Sequence, residues 1–274
     1  MICRSAFVPV IFLCTIVCSC TAPKYKWIGK HASKTAEGGS VFYEQAAAMH
    51  WAQRDSLALV WWQKGNWPDW LERFERITIK GVDALSNKAV TIKFYASTDY
   101  LCLGNNQDWA RICITPMAAK MIADDWLCVL PTTRIVDEIY NQSRVKLSPV
   151  PLFAFRDSTP TMLHHHLIIE GQRKEQEGLI SGIKKDVVQT PLLLEQGKQN
   201  KVAIYGWHKP GGKPIQPLYT GHVSWYVDYS HGIRLIYQYL YINGQQVLLQ
   251  DALRNPGLHH LLCDEKGCNA SSHG

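Results

Sequence analysis

The sequence predicts an α+β fold, with helices mainly in the N-terminal half and a largely antiparallel β-sheet in the C-terminal half. Three observations carry this expectation. Apolar residues recur three or four apart across 40–63 and again across 115–140, the period of a helix with one buried face. Between these stretches the period shortens to strict alternation, as in Val90-Thr-Ile-Lys-Phe-Tyr, and beyond about 160 most segments look like strands. Near the end, Asn243-Gly244 separates two apolar runs. Asn-Gly is a strong hairpin signal because both central positions of the turn take positive φ.

Each element follows in order. Residues 21–39 lack periodicity and are expected to be a linker ahead of a single α+β domain over 40–274. Ser40 to Gln63 is expected to form one or two helices, stopped by Gly65-Asn66. Asp69 to Arg76 suggests a helical turn, Ile77 to Lys80 a short strand, and Asp83 to Lys88 a turn. Tyr100–Leu103 and Arg111–Ile114 form the next strand pair. Thr115-Pro116 opens a helix to about Leu127, since Thr caps backbone N–H groups and Pro is tolerated in the first turn. Leu130 to Arg134 restarts a second helix, with Ile135, Val136, Ile139 and Tyr140 on one face. The Pro-rich stretch 150–160 marks a sub-boundary. Met162 to Glu170 is expected to be a strand, with His164 and His166 on one face and His165 on the other. Ile180 to Val188 and Val202 to Trp207 also suggest strands. Lys209 to Pro217, rich in Pro and Gly, is expected to be an irregular constrained loop.

Composition excludes several classes. The chain has 274 residues, 46% hydrophobic and 19% charged, which is globular rather than disordered. Its formal charge of +6 is scattered, with no Lys/Arg run long enough for a nucleic-acid arm, so no nucleic-acid partner is expected. Ten tryptophans and twelve tyrosines are many for this length. Aromatics fill cores, and they also line saccharide and peptide clefts.

Residues 1–20, MICRSAFVPVIFLCTIVCSC, place one Arg before an apolar run too short to span a bilayer. That is the layout of an export signal. Val17-Cys18-Ser19-Cys20 resembles the lipobox of bacterial lipoproteins. The resemblance implies lipid on Cys20, attachment to a membrane, and a place in the cell envelope facing periplasm or exterior. In such an oxidising compartment two local disulfides are expected, Cys102–Cys113 across a turn and Cys263–Cys268 near the C-terminus. Cys128, inside Trp-Leu-Cys-Val-Leu, is expected to be a buried, inert thiol.

Chemistry concentrates in Lys201 to Leu235, which carries His208, His222, Asp228, Ser230, His231 and Arg234 among many aromatics. Three chemistries fit these residue types. His222, Asp228 and His231 could hold a zinc ion with an open position, suited to metal-assisted hydrolysis. Alternatively Asp228 orients His231 as a general base, while Arg234 or Lys184 binds an anion and His208 helps position substrate. Ser230 as a nucleophile ranks last, because adjacent residues on a strand point apart. Against all three stands the reading that these are buried polar residues satisfying one another.

Ser230-His231-Gly232-Ile233-Arg234-Leu235 resembles the SHGCxRL signature of the L,D-transpeptidases, which crosslink peptidoglycan, and Ala203-Ile-Tyr-Gly resembles an upstream strand of that family. The family's nucleophilic Cys would follow Gly232, where this chain has Ile233, so that role is not carried over. The phrases KKDVV, VAIYGWH and DYSHGIRL are also similar to a group of secreted proteins of unknown activity. The leading expectation is an envelope-anchored lipoprotein that hydrolyses a cell-wall or glycan substrate. The alternative is a non-catalytic lipoprotein that binds a saccharide or peptide through tryptophans such as Trp207 or Trp225. A purely structural envelope protein is the third.

Overall fold

The computed structural model describes residues 24–268. Residues 1–20, expected to be an export signal ending at Cys20, lie outside the described residues. The fold is α+β with largely antiparallel sheets, as expected. The chain begins with β1 (Tyr25–Trp27), then α1 (Gly39–Ala46) and α2 (Trp51–Gln63). Two long strands follow, β2 (Arg73–Val82) and β3 (Ala89–Ser97), paired in register from Phe74 opposite Ser97 to Val82 opposite Ala89. A small hairpin, β4 (Cys102–Gly104) and β5 (Trp109–Arg111), leads into α3 (Pro116–Asp125). Thr115 caps α3 by accepting from the Ala118 N–H. Then come β6 (Cys128–Val129), α4 (Thr133–Gln142), β7 (Val145–Lys146) and α5 (Thr159–Arg173).

The C-terminal part contributes β8 (Ile180–Ser181), β9 (Lys185–Val187), β10 (Ile204–His208), β11 (Pro214–Tyr219) and β12 (His231–Gly232). It closes with β13 (Ile236–Tyr237), β14 (Tyr239–Ile242), β15 (Gln245–Leu248) and α6 (Leu249–Arg254). The main sheet runs β1-β2-β3-β13-β6, with β14 also on β3 and β15 on β14. The sheet that positions the chemistry is smaller, β11-β10-β9-β12. In it β12 runs parallel to β9, placing His231 beside Lys185 and Gly232 beside Asp186. The hairpin at Asn243-Gly244 forms as expected, with positive φ at both residues.

Four expectations are corrected. The linker is not wholly structureless, because Tyr25–Trp27 pairs with Arg73–Glu75 as an edge strand and Ile28 is buried behind it. Met162 to Glu170 is helical. Ser158 caps α5 and Pro160 sits in its first turn, so Met162, His165, His166 and Ile169 form one buried face. Lys209 to Pro217 is not wholly irregular, since its second half is β11, paired with β10. Strand β11 is an edge strand, where Pro costs no ladder bond on the open side. Finally, Cys102 and Cys113 are not bridged. Cys102 lies opposite Arg111 in the hairpin, so Cys113 falls two residues past the cross-strand position. The Cys102 thiol donates to the Tyr100 carbonyl, and Cys113 lies between Lys184 and the Tyr229 carbonyl. Cys263 and Cys268 are disulfide-bonded, and Cys128 is a buried free thiol. Alkylation of the unfolded, unreduced protein should therefore label Cys102, Cys113 and Cys128 and spare Cys263 and Cys268 in peptide mass maps. A bridged Cys102–Cys113 peptide would contradict the fold at this hairpin.

Candidate functional site

The site grows from the loop between β11 and β12. Asp228 begins a tight turn in which its own carbonyl accepts from the His231 N–H at 3.1 Å. Its carboxylate takes the Ser230 N–H at 2.8 Å and the Ser230 hydroxyl at 2.5 Å. Asp favours such turns because its side chain can bond the backbone two residues on. The other carboxylate oxygen accepts from Arg156 at 2.9 Å and from the Tyr226 hydroxyl at 3.2 Å. Tyr229 fixes the loop to the preceding Pro-rich segment, with its hydroxyl bonded to the Leu152 backbone.

His231 projects from this turn into a fully buried position, 1% exposed. Neither ring nitrogen has a hydrogen-bond partner within the protein. The nearest carboxylate oxygen, on Asp228, is 3.9 Å from Nε2. The rings of Tyr226 and His222 lie 5.9 and 6.2 Å from the His231 ring. Lys185 enters from β9, its ammonium 5.2 Å over the Trp207 ring. Buried polar atoms are rarely left without partners. Both ring nitrogens of His165 share this state, and it is the Asp228 carboxylate alongside that sets His231 apart.

Electrostatics separate the roles. Burial lowers the His231 pKa to about 4 despite the nearby Asp228 charge. Burial alone would raise Asp228, but the His231 and Lys185 charges and the Ser230 hydrogen bonds outweigh it and bring the pKa to about 2. At neutral pH His231 is therefore an unprotonated ring beside an ionised carboxylate. Burial, and then the Asp228 charge, push the Tyr226 hydroxyl up to about 12, so it stays a donor. Burial also lowers His222 and Lys185.

The structure brings together only half of the residues picked from the sequence. His222, Asp228 and His231 cluster. His208 does not join them. Its ring stacks on Tyr140 at 4.5 Å, and Nε2 bonds Asp137 at 2.8 Å beside the Tyr205 hydroxyl. Arg234 has its guanidinium committed to backbone carbonyls. It is fully buried, donates to the carbonyls of Ser97 and Ile180, and lies 4.1 Å over the Tyr100 ring. Lys184 is buried, with its ammonium donating to the Tyr229 carbonyl and lying 3.5 Å from the Cys113 sulfur. Gly232 is needed here, since a Cβ would sit 2.7 Å from the Lys184 Cβ and 2.5 Å from the Tyr100 ring.

The zinc expectation is corrected as well. Among the described residues, the one group of three or more ligand atoms close enough to share a metal is Cys263, Glu265 and Cys268, whose cysteines are disulfide-bonded. His222, Asp228 and His231 do not converge to that degree, and both Asp228 oxygens are already occupied by Ser230, Arg156 and Tyr226. Sequence reasoning missed Lys185, Tyr226 and Arg156. Alternation along Lys184-Lys185-Asp186 says that the two lysines face opposite ways, but only the pairing of β9 with β12 says that Lys185 faces His231.

No protein-family model, curated protein or solved structure matches this chain.

Proposed function

We propose that this protein is an envelope-anchored hydrolase of a cell-wall or glycan substrate, tethered by lipid on Cys20, with His231 as general base. The observation that carries this reading is the unpartnered, uncharged His231 ring beside an ionised Asp228. A neutral imidazole can take a proton from water. Asp228 stabilises the resulting imidazolium through space, and Lys185 stands ready as a donor to developing negative charge. Because Asp228 is held by Ser230 and Arg156, it acts through its charge and not by a hydrogen bond to the ring.

The test is release of soluble fragments from purified peptidoglycan sacculi. His231→Ala should lower turnover by about 10²–10⁴-fold, the usual contribution of a general base. Activity should fall as pH drops through about 4, where His231 takes up its proton. Chelators should leave it unchanged. Full turnover by a folded His231→Ala variant, or none by the native chain, would sink the reading.

A second reading, non-catalytic binding of a saccharide or peptide, has one observation in its favour. Trp225, 45% exposed, lines a groove of about 560 Å³ together with Trp51, His50 and Tyr226. Trp207 is buried and takes no part. This reading predicts binding that survives His231→Ala and is lost in Trp225→Ala.

A further inference from the structure

A separate cleft of about 520 Å³ opens between β1, the start of β2, the β4–β5 hairpin and the end of α5. Its walls carry Trp27, Trp70 and Trp109. Trp70 and Trp109 meet edge to face at 4.8 Å, which fixes both planes. Trp27 stands at the cleft with 63% of its surface exposed. A tryptophan so exposed on an ordered strand calls for a partner more than an isolated exposed leucine would.

Buried charges hold the floor rigid. Arg111, fully buried, donates Nε and Nη2 to Asp99 at 2.7 Å each and lies 2.8 Å from Glu170. Arg173 reaches the same Asp99 at 3.4 Å and bonds the Gln176 carbonyl at 3.0 Å, which holds its guanidinium 5.7 Å from the Trp109 ring. Lys174 closes helix α5 with a positive φ of 54°, turning the chain sharply around the cleft's edge. The polar groups are thus placed before any ligand arrives, which lowers the ordering cost of binding.

The signs of the charges identify the ligand class. Three basic and four acidic side chains line the cleft, so neither an anion nor a cation is strongly selected. A hydroxyl both donates and accepts, and so can satisfy guanidinium and carboxylate alike. A ring with apolar C–H faces and hydroxyls at its rim matches tryptophan walls over a mixed-charge floor. We propose that this cleft is a binding site for an uncharged pyranose glycan, distinct from the His231 site and independent of whether that site is catalytic. Pyranose faces stack on Trp27 and Trp70, and ring hydroxyls bond Glu170 and Arg173.

Chitotetraose titrated into the full mature chain tests this, read by calorimetry and by the indole N–H resonances. Saturable binding is expected, with the Trp70 and Trp109 signals shifting together. Trp27→Ala, which removes an exposed side chain and should leave the melting temperature unchanged, is expected to weaken binding at least 10-fold, and Trp70→Ala likewise. Trp225→Ala should leave affinity as it is. Absence of saturable binding would overturn the proposal. So would binding indifferent to Trp27→Ala, or lost only in Trp225→Ala. Displacement of those indole signals by a peptidoglycan stem peptide but not by the saccharide would assign the cleft to peptide and overturn it too.

Discussion

Asp99→Ala should destabilise the protein by about 3–5 kcal/mol, the cost of removing one partner from a buried ion pair. Arg111 is fully buried, and two of its nitrogens rest on Asp99. Without that carboxylate the guanidinium keeps, among the described residues, only Glu170 as a counter-charge, and shares it with Arg173. The Tyr100 N–H, bonded to Asp99 at 2.7 Å, loses its acceptor as well. Asp99 itself is held below the usual carboxylate range. Its burial acts upward, but the charges of Arg111, Arg173 and Arg234 and the Arg111 hydrogen bonds prevail. The damage should lie in the stranded charge rather than in lost volume. The double variant Asp99→Ala/Arg111→Met should therefore recover much of the loss, because a well-packed apolar replacement for a buried pair is often nearly neutral. Urea unfolding of the four proteins, treated as a double-mutant cycle, measures this directly. A loss below 1 kcal/mol in Asp99→Ala would mean that water reaches Arg111. The floor of the tryptophan cleft would then be less rigid than the geometry implies.

Local signals were enough wherever one residue sets a backbone choice. Thr115-Pro116 started a helix, and Asn243-Gly244 turned a hairpin. The same kind of signal was present at Ser158-Thr-Pro and could have corrected the strand expected for the histidine run. Counting His165 and His166 as apolar gives Met162, His165, His166 and Ile169 the three-four spacing of a helix face. A histidine buried in its neutral form behaves as core, and residue type alone does not say when this happens. Other features depend on distant partners. Strand β1 exists because Arg73–Glu75 lies alongside it, and no local pattern in Tyr25–Trp27 reports that. The separation of Cys102 from Cys113 depends on a hairpin register. The candidate site shows the same division. His222, Asp228 and His231 were legible because one short loop carries all three. Lys185, Arg156 and the exclusion of His208 required the pairing of β9 with β12 and the position of α4, both long-range.

Lowering the pH below about 6.5 should destabilise this protein steeply, because three buried histidines are held neutral. Burial, together with the Lys184 and Arg111 charges, brings His165 to about 2. Burial and Arg111, opposed by Asp99, bring His166 to about 3, and His231 lies at about 4. Each takes up a proton near 6.5 once the chain unfolds. Their folded values are depressed, so the unfolded state binds more protons below 6.5 and stability falls as pH falls. Above 6.5 the stabilisation is fully present, and below the folded values nothing further is lost. One group works the other way. Asp186, fully buried, is raised to about 6 by burial, opposed by Arg234 and the Tyr100 hydrogen bond. It therefore takes up its proton in the folded state first. The three histidines against Asp186 give a net loss of about 4 kcal/mol between pH 7 and pH 5, at about 1.4 kcal/mol per proton per pH unit. That is a large share of the 5–15 kcal/mol typical of a domain. Urea unfolding at half-unit steps from pH 7.5 to 5 should show the slope steepening below 6.5. His165→Leu, which removes one of the three protons, should flatten it by about 1.4 kcal/mol per pH unit and move the acid midpoint downward. An unchanged slope in that variant would mean that His165 is charged or solvated in the folded protein, and α5 would then not pack its histidines against Tyr229 and Arg111.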